Sequence, residues 1–587
     1  MFMKQTLPYG TWPSPISAER VASASRRFGQ VQVDQGCVYW VESRPEEGGR
    51  SVLVTCDDDG VVSDVVPKDF SVRSRVHEYG GVAYVVQNGV VFCSNGDDGR
   101  VYRMTQDAEP LPITPDNSAR YADFSIASDG QTIFCVREQH NSDTEPTNDM
   151  VCLKDDQVVV VVEGHDFYAA PRISSDGRKL AWLSWDHPNM PWDGTELWVA
   201  DWCDGKIENA TCVAGGVDEA VFQPTWGQDG HLYYVSDVSG WWNLYSWDGC
   251  KHTHLWQKEA EFGLPLWSLG MTTYVETQAG HWVCSYIENG NAELGTLDVP
   301  AQKTSSIDVP FSDYSAMAAE GNTVAFIGGG WDKALAVVRF DRLRSQYQVI
   351  RENDPDIDKD GLSCPEAIQY WTSRGFAVLD VNYRGSTGFG RVYRRALDGQ
   401  WGVYDVQDCV AGAQYLANTE RADDARLLIR GGSAGGLTTL GALAFYDVFK
   451  AGASYYGVSD LASLAQITHK FESQYLNRLI GGEDLEVTFK ERSPLYAADQ
   501  ISAPVIFFQG KEDPVVPPIQ TQSMADALSK NHIPVACVMF EGEMHGFRRA
   551  ENIISSLNME YAFYATIFEL DCQDDLSEIN IDHWPRK

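Results

Sequence analysis

Short runs of alternating apolar and polar residues, separated by turns, fill the chain from about residue 28 to residue 345. In three segments an apolar start leads into an Asp-Gly turn and then a strand-like run: FSIASDGQTIFCV from 124, PRISSDGRKLAWL from 171 and PTWGQDGHLYYVS from 224. Asp-Gly between such runs is typical of a β-hairpin. Weaker copies begin at Phe28, His77, Leu264 and Tyr314. Repeats about 50 residues long, each with room for four short strands, predict a β-propeller of seven blades.

From about residue 367 the pattern changes to apolar runs that alternate with helix-like segments. Five runs are predicted to be buried parallel strands: FAVLDV (376–381), RLLIR (426–430), AGASYY (451–456), PVIFFQ (504–509) and VACVMF (535–540). Helices are predicted between them, for example over VQDCVAGAQYLA (406–417) and IQTQSMADALS (519–529). Strands that alternate with helices in this way predict a doubly wound α/β sheet.

A chain of 587 residues is too long for one ordinary hydrophobic core. The two patterns divide it into five predicted parts. These are an N-terminal segment (1–27), the propeller (28–350), an acidic linker (351–366), the α/β domain (367–570) and a polar tail (571–587).

The formal net charge is −37, which argues against binding nucleic acid or an anionic membrane through a basic face. No stretch approaches the roughly 18 apolar residues of a membrane span, and the N-terminal residues lack the apolar core of a signal peptide. The 13 cysteines occur without C-x-x-C pairs, which is typical of reduced thiols rather than of disulfides or zinc sites. These features predict a cytoplasmic protein.

Ser433 lies in GGSAGG, between the predicted strand RLLIR and the helix-like segment LTTLGALAF. A G-x-S-x-G pattern by itself is weak evidence, because a glycine-rich turn can contain an incidental serine. Between a strand and a helix, however, small residues permit the sharp turn that exposes a nucleophilic serine. Such a serine needs a base, a carboxylate that orients the base, and donors for the oxyanion.

The base and the carboxylate are expected on loops that follow later strands, in the order acid and then histidine. PVIFFQ is followed by GKEDPVVPP, which offers Asp513 and, as the alternative, its neighbour Glu512. VACVMF is followed by EGEMHGF, which offers His545. Arg548 and Arg549 follow this histidine and are candidates for contacting a substrate carboxylate or carbonyl, the alternative being the start of a surface helix.

With these features the chain resembles the prolyl oligopeptidase family of serine peptidases, above all its acylaminoacyl-peptidase and dipeptidyl-aminopeptidase branch. The resemblance rests on the order of a propeller and then a hydrolase, and on six segments: HPNMPWDGTELW (187–198), NYRGSTGFGRVYRRAL (382–397), GGSAGG, SYYGVSDL (454–461), FFQGKEDPVVPP and FEGEMHGFRRAENI. It implies an α/β-hydrolase fold and hydrolysis of short peptides that the propeller admits. It also implies a triad of Ser433, Asp513 and His545, with the backbone N–H of Ala434 as one oxyanion donor.

The chain departs from this family before FAVLDV. Family members have an eight-stranded hydrolase sheet, and a His-Gly-Gly-Pro loop supplies their second oxyanion donor. This chain has five predicted strands and no His-Gly-Gly sequence. The sequence therefore predicts a sheet truncated at its N-terminal strands. Three explanations stay open: an incompletely read gene, an internal deletion, or a replacement from elsewhere in the chain.

The leading hypothesis is a serine peptidase without a metal or organic cofactor, whose partners are short peptide substrates. An esterase on the same fold is a second enzyme hypothesis, because a Ser-His-Asp triad does not distinguish esters from amides. The third hypothesis is a catalytically impaired scaffold whose propeller binds partners. Its main support is the missing oxyanion segment.

Overall fold

The structure is a computed structural model that describes residues 6–105, 108–141, 144–203, 205–330, 333–353, 366–572, 574, 576 and 578–585. Most of the predicted acidic linker (351–366) lies outside these residues. The described residues form a β-propeller followed by a parallel α/β sheet with helices on both faces.

Seven antiparallel sheets of four strands form the propeller, and the four strands of each blade follow one another in the chain. The prediction of seven blades is therefore confirmed. The strands, blade by blade, are Arg27–Asp34 (β1), Cys37–Arg44 (β2), Arg50–Cys56 (β3), Val62–Asp64 (β4); Tyr84–Gln87 (β5), Val90–Ser94 (β6), Val101–Met104 (β7), Leu111–Pro112 (β8); Ala119–Ile126 (β9), Ile133–Asn141 (β10), Thr144–Lys154 (β11), Gln157–Val162 (β12); Phe167–Ile173 (β13), Lys179–Trp185 (β14), Glu196–Cys203 (β15), Lys206–Gly215 (β16); Val221–Trp226 (β17), Leu232–Ser236 (β18), Asn243–Trp247 (β19), His252–His254 (β20); Tyr274–Gln278 (β21), His281–Glu288 (β22), Asn291–Asp298 (β23), Lys303–Ser306 (β24); Asp313–Glu320 (β25), Thr323–Gly329 (β26), Ala336–Asp341 (β27) and Gln346–Glu352 (β28).

Neighbouring blades are joined by a recurrent bulge in the first strand of a blade. Gln30, Asp123 and Gln223 stand at such bulges with φ of 57°, 58° and 48°. Each of their side chains accepts a hydrogen bond from a backbone amide of the next blade, at 2.8, 2.7 and 2.7 Å. A bulge leaves one residue unpaired within its own ladder, and here that residue connects two blades.

The α/β sheet contains four parallel strands in the order Leu428–Gly432 (β29), Ala451–Tyr455 (β30), Val505–Gly510 (β31) and Val535–Phe540 (β32). The helices of the described chain are Ala18–Ala24 (α1), Glu366–Thr372 (α2), Gly390–Arg394 (α3), Tyr404–Asn418 (α4), Ala434–Phe445 (α5), Leu461–Ile467 (α6), Tyr475–Ile480 (α7), Leu485–Arg492 (α8), Ile519–Lys530 (α9) and Ala550–Ile567 (α10). Short 3₁₀ turns add Pro45–Glu47, Arg395–Leu397, Asp424–Arg426, Lys470–Glu472 and Pro494–Ala497.

The sheet is the middle layer of three. Helices α4, α5 and α9 cover one face, where Phe507 of β31 is buried, and α1, α2 and α10 cover the other, where Phe508 is buried. Alternate residues of a strand point to opposite faces, so a strand that is covered on both sides has an almost continuous apolar sequence. None of the helices within the described ranges has the length and apolar character needed to cross a bilayer.

The prediction of a strand at FAVLDV (376–381) is wrong. Residues 376–381 are extended but pair with no strand in the described part of the chain, and the amides of 377–380 form no hydrogen bond there. Leu379 and Val381 lie against Gly412 of α4, yet Val378 and Leu379 remain 44% and 46% exposed. A strand needs a neighbour for its backbone groups. The described residues contain no strand in the place that the family's strand order gives to a neighbour between FAVLDV and RLLIR, so this segment pairs with none of them.

The two edges of the sheet differ for the same reason. At β32 the polar tail returns, and Asp582 exchanges backbone hydrogen bonds of 3.1 and 2.8 Å with Val535. At β29 the described residues provide no further strand. β30 and β31 are buried throughout, whereas every residue of β29 is partly or fully exposed. The prediction that RLLIR is a buried strand is thus wrong in its burial, and the strand begins at Leu428 rather than at 426.

Candidate active site

Ser433 occupies a sharp turn between β29 and α5. Its backbone has φ 55° and ψ −120°, a conformation that is strained for a residue with a side chain. Close packing of the glycines permits the turn. A Cβ on Gly431 would lie 2.2 Å from the carbonyl oxygen of Gly435, and one on Gly436 would lie 2.4 Å from the Cα of Gly457. The spacing of small residues is therefore a steric requirement, and it leaves the Ser433 hydroxyl at the wall of a cavity.

His545 lies on the loop between β32 and α10 and is hydrogen-bonded on both sides. Its Nε2 is 2.9 Å from Oγ of Ser433, and its Nδ1 is 2.8 Å from Oδ2 of Asp513. The ring of Tyr456 packs edge-on against the imidazole, with centroids 4.9 Å apart. The structure thus brings together the three residues that the sequence singled out, although they belong to three separate loops.

The Asp513 carboxylate is buried and fully engaged. Its Oδ1 accepts the backbone amides of Val515 and Val516 at 2.9 and 3.0 Å, and its Oδ2 accepts Nε2 of Gln509 at 3.3 Å besides His545. These donors fix its orientation and compensate for its burial. The neighbouring Glu512 is exposed. Of the two acids that the sequence left open, Asp513 is therefore the one that contacts the histidine.

Ala434 is the first residue of α5 and lines the cavity beside Ser433. The first amides of a helix have no intrahelical acceptor, so this N–H is available to an oxyanion. Tyr383 and Tyr475 line the same cavity, and neither hydroxyl has a hydrogen-bond partner among the described residues. Burial raises the pKa of Tyr383 to about 12, so its hydroxyl remains a donor.

The cavity has a volume of about 410 Å³ and lies between the two domains. Ser433 and His545 form part of its wall from the hydrolase side. The propeller contributes a second set of residues that the sequence analysis did not identify as site residues: Tyr79, Trp192, Asp193, Pro265 and Trp267. A signal was available for two of them, since Trp192 and Asp193 lie in HPNMPWDGTELW. The others come from blades without a distinctive motif.

Acidic side chains at the cavity differ in their partners. Arg478 binds both Asp193, at 3.0 Å, and Asp398, at 2.9 Å. Burial raises the pKa of Asp193 to about 6, although Arg478 opposes the shift. Glu472 accepts a hydrogen bond of 2.5 Å from the Tyr79 hydroxyl and has no arginine or lysine partner within the described residues. Nε2 of His469 lies 4.0 Å from Oε2 of Glu472, so this carboxylate has a histidine but no arginine or lysine beside it among the described residues.

The structure separates the two arginines that follow His545. Arg548 lies against the propeller, where a Cβ on Gly49 would be 2.6 Å from its own Cβ. Burial lowers the pKa of Arg548 to about 10, and Arg27 adds to the shift. Arg549 instead lies beside Glu551, with 3.8 Å between the nearest charged atoms. In the described part of the chain, no cluster of three or more potential metal ligands was found.

Comparisons with known proteins place these features among peptidases. Residues 363–571 match the model of the prolyl oligopeptidase family. The whole chain is similar to a solved structure of a puromycin-hydrolyzing peptidase from Mycobacterium tuberculosis, with 38% identity and a TM-score of 0.94; the match covers 99% of this chain and 100% of that one.

Two curated relatives match about a third of the chain. Dipeptidyl peptidase family member 6 of Caenorhabditis elegans is 34% identical over 189 residues, which is 31% of this chain and 26% of that protein. Dipeptidyl aminopeptidase BIII of Pseudoxanthomonas mexicana is 36% identical over 191 residues, which is 31% of this chain and 28% of that protein. The chain thus spans little more than a quarter of the length of these curated relatives.

Proposed function

The chain belongs to the prolyl oligopeptidase family, and from this premise we propose that it is a serine peptidase acting on short peptides with a free N-terminus. The observation that carries the proposal is the chain of hydrogen bonds from Asp513 through His545 to Ser433 at the wall of an interdomain cavity. A nucleophile, a base and an orienting carboxylate in this order are the requirements for acyl transfer.

In the proposed reaction, Ser433 Oγ attacks the scissile carbonyl while Nε2 of His545 takes its proton. Asp513 holds Nδ1–H, which keeps Nε2 directed at the serine and stabilises the imidazolium. His545 then gives the proton to the leaving amine, and the acyl group remains on Ser433. A water molecule, deprotonated by the same histidine, releases the acyl group and restores the hydroxyl.

The oxyanion receives the Ala434 N–H as one donor. Loss of one oxyanion donor costs on the order of 10²–10³ in rate. The missing His-Gly-Gly-Pro loop therefore lowers the rate by that factor unless another group replaces it. The free hydroxyls of Tyr383 and Tyr475 support a replacement from elsewhere in the chain.

Glu472 supports the preference for a free N-terminus. Glu472 has no arginine or lysine partner among the described residues, only His469 at 4.0 Å. A carboxylate so placed in a partly apolar cavity favours a substrate ammonium group, because charge-assisted hydrogen bonds are stronger than neutral ones. The names of two similar proteins, a dipeptidyl aminopeptidase and a puromycin-hydrolyzing peptidase, are compatible with this preference. The cavity of about 410 Å³ restricts the acyl part to a small number of residues.

The test compares matched alanine oligopeptides with a free or an acetylated N-terminus. We expect turnover of the free peptides that is lost in Ser433→Ala, and a preference over the acetylated peptides of about 10- to 100-fold in kcat/KM. Glu472→Gln, which keeps the shape but removes the charge, should bring the ratio close to one. Equal turnover of acetylated peptides would overturn the amine preference. Turnover of p-nitrophenyl esters without any peptide turnover would support the esterase instead.

A further inference from the structure

A second cluster of charged side chains flanks His545 on the propeller side. It consists of Arg27 at the start of β1, Arg73 and Arg75 in the connection between blades 1 and 2, and Arg548. None of the four lines the cavity that contains Ser433. We call this group the arginine cluster.

The arginine cluster has more positive charge than the surrounding acids balance. Arg27, Arg73 and Arg548 form no ion pair and no side-chain hydrogen bond with the described residues. Arg75 binds Glu78 at 2.6 Å, but Glu78 is shared with Arg120, also at 2.6 Å.

Glu543 is the other acid near the arginine cluster, and its carboxylate oxygens already accept hydrogen bonds from other groups. It is buried and accepts the backbone amides of Arg548 and Arg549 and Nδ2 of Asn552 at 2.9–3.1 Å. Its carboxylate therefore has few lone pairs left to accept hydrogen bonds from the guanidinium groups of the arginine cluster.

The members of the arginine cluster lie at one end of blade 1. Arg27 pairs with Ser43 of β2, Ser43 pairs with Ser51 of β3, and the amide of Val72, next to Arg73, donates to the carbonyl of Ser51 at 2.8 Å. A Cβ on Gly49, two residues before Ser51, would lie 2.6 Å from the Cβ of Arg548.

Burial lowers the pKa of Arg73 to about 9, and Arg548 and Arg75 lower it further. Like charges that are held together away from bulk water destabilise the protein unless an anion joins them. Guanidinium groups suit a carboxylate especially well, because their planar donors match its two oxygens.

The position of the arginine cluster indicates which part of a substrate it meets. His545 must hand its proton to the nitrogen of the leaving group, so the leaving fragment lies on the histidine side of the scissile bond. Arg548 is three residues beyond His545 on the same loop, and its Cβ packs against Gly49 of the propeller. In this arrangement the acyl fragment occupies the interdomain cavity, and the leaving fragment lies beside the arginine cluster.

We propose that the arginine cluster binds the C-terminal carboxylate of the leaving fragment, so that the enzyme selects peptides ending a few residues beyond the scissile bond. This inference rests on the proposed peptidase function. Together with Glu472 it gives the site a charge at each end, negative for the amine and positive for the carboxylate. Such a site measures the length of a peptide.

The test compares alanine tripeptides that end in a carboxylate or in an amide. In the unaltered protein we expect kcat/KM to be about 10- to 100-fold higher for the carboxylate. Arg73→Gln and Arg548→Gln should bring this ratio close to one, whereas Arg73→Lys should keep part of it. Arg549→Gln is the matched control, because this neighbouring side chain lies beside Glu551; its ratio should equal that of the unaltered protein. The ratio is measured within each variant, so a loss of folded protein cancels.

A binding measurement separates this inference from the peptidase proposal. By calorimetry, Ser433→Ala should bind the carboxylate tripeptide about 10- to 100-fold more tightly than the amide. Equal binding of the two peptides, or a turnover ratio close to one in the unaltered protein, would overturn the inference. Tighter binding of the carboxylate without turnover of either peptide would support the arginine cluster and refute the peptidase.

Discussion

The propeller and the hydrolase sheet differ in completeness. Each blade of the propeller has four strands that follow one another in the chain, so every repeat is a finished unit. The hydrolase sheet has four strands and an edge at β29 that the described residues leave unpaired. Ser433, Asp513 and His545 follow β29, β31 and β32, so the hydrogen-bonded candidate site assembles on the strands that are present.

The difference also shows where the sheet is weakened. Parallel sheets are normally buried on both faces and sheltered at their edges. β30 and β31 meet this condition, and Asp582 covers β32. β29 does not meet it, and yet β29 leads directly into the strained turn at Ser433.

The substitution with the greatest predicted loss of activity is at Asp513, on the loop after β31. Asp513→Asn should lower kcat for free peptides by about 10⁴-fold, because the amide no longer holds the histidine in the required tautomer. Steady-state kinetics measures this effect, with circular dichroism as the check on folding. Glu512→Gln is the control, since the neighbouring side chain is exposed. A similar loss in both variants would mean that the loop, and not the carboxylate, is responsible.

The next effect concerns the contact between the two regions. Arg394 of α3 binds Asp237 of the propeller at 2.6 Å, with side-chain exposures of 6% and 0%, and stacks on Trp242 at 4.0 Å. Arg394→Ala leaves the buried Asp237 with its longer pair to Arg391, at 3.2 Å, and should destabilise the protein by up to about 3–5 kcal/mol.

Urea unfolding measures this loss. Arg395→Ala is the control, because Arg395 is 39% exposed and its pair with Asp218 of the propeller, at 3.5 Å, is an exposed one. The effect of this variant should stay within about 1 kcal/mol. Equal effects of the two variants would mean that the buried pair does not hold the regions together.

The smallest effect is a local difference in stability within one sheet. Amides of β29 that face the open edge should exchange with solvent on the order of 10³-fold faster than those of β31, since they open without global unfolding. Hydrogen exchange followed by mass spectrometry resolves the two strands, and β14 of the propeller provides a protected reference. Equal protection of β29 and β31 would show that the open edge is covered.

The sequence predicted those features that local rules determine. Asp-Gly turns mark the hairpins of blades 3, 4 and 5, and the small residues around Ser433 are sterically required in the turn. FAVLDV failed because a strand depends on a neighbour that the local pattern cannot show. Glu472 and Arg73 were missed for a related reason. Each is an ordinary charged residue in the sequence. It becomes notable only in the folded structure, where, among the described residues, Glu472 has no arginine or lysine partner and Arg73 forms no ion pair.

The most direct test of the central claim, that a complete Ser-His-Asp site assembles on an incomplete sheet, is labelling with a fluorophosphonate probe. The reagent phosphonylates a serine that an adjacent histidine activates. We expect labelling of the unaltered protein that disappears in Ser433→Ala and falls strongly in His545→Gln, while circular dichroism of all three proteins is the same. A folded protein that is not labelled, or labelling that persists in Ser433→Ala, would contradict this claim.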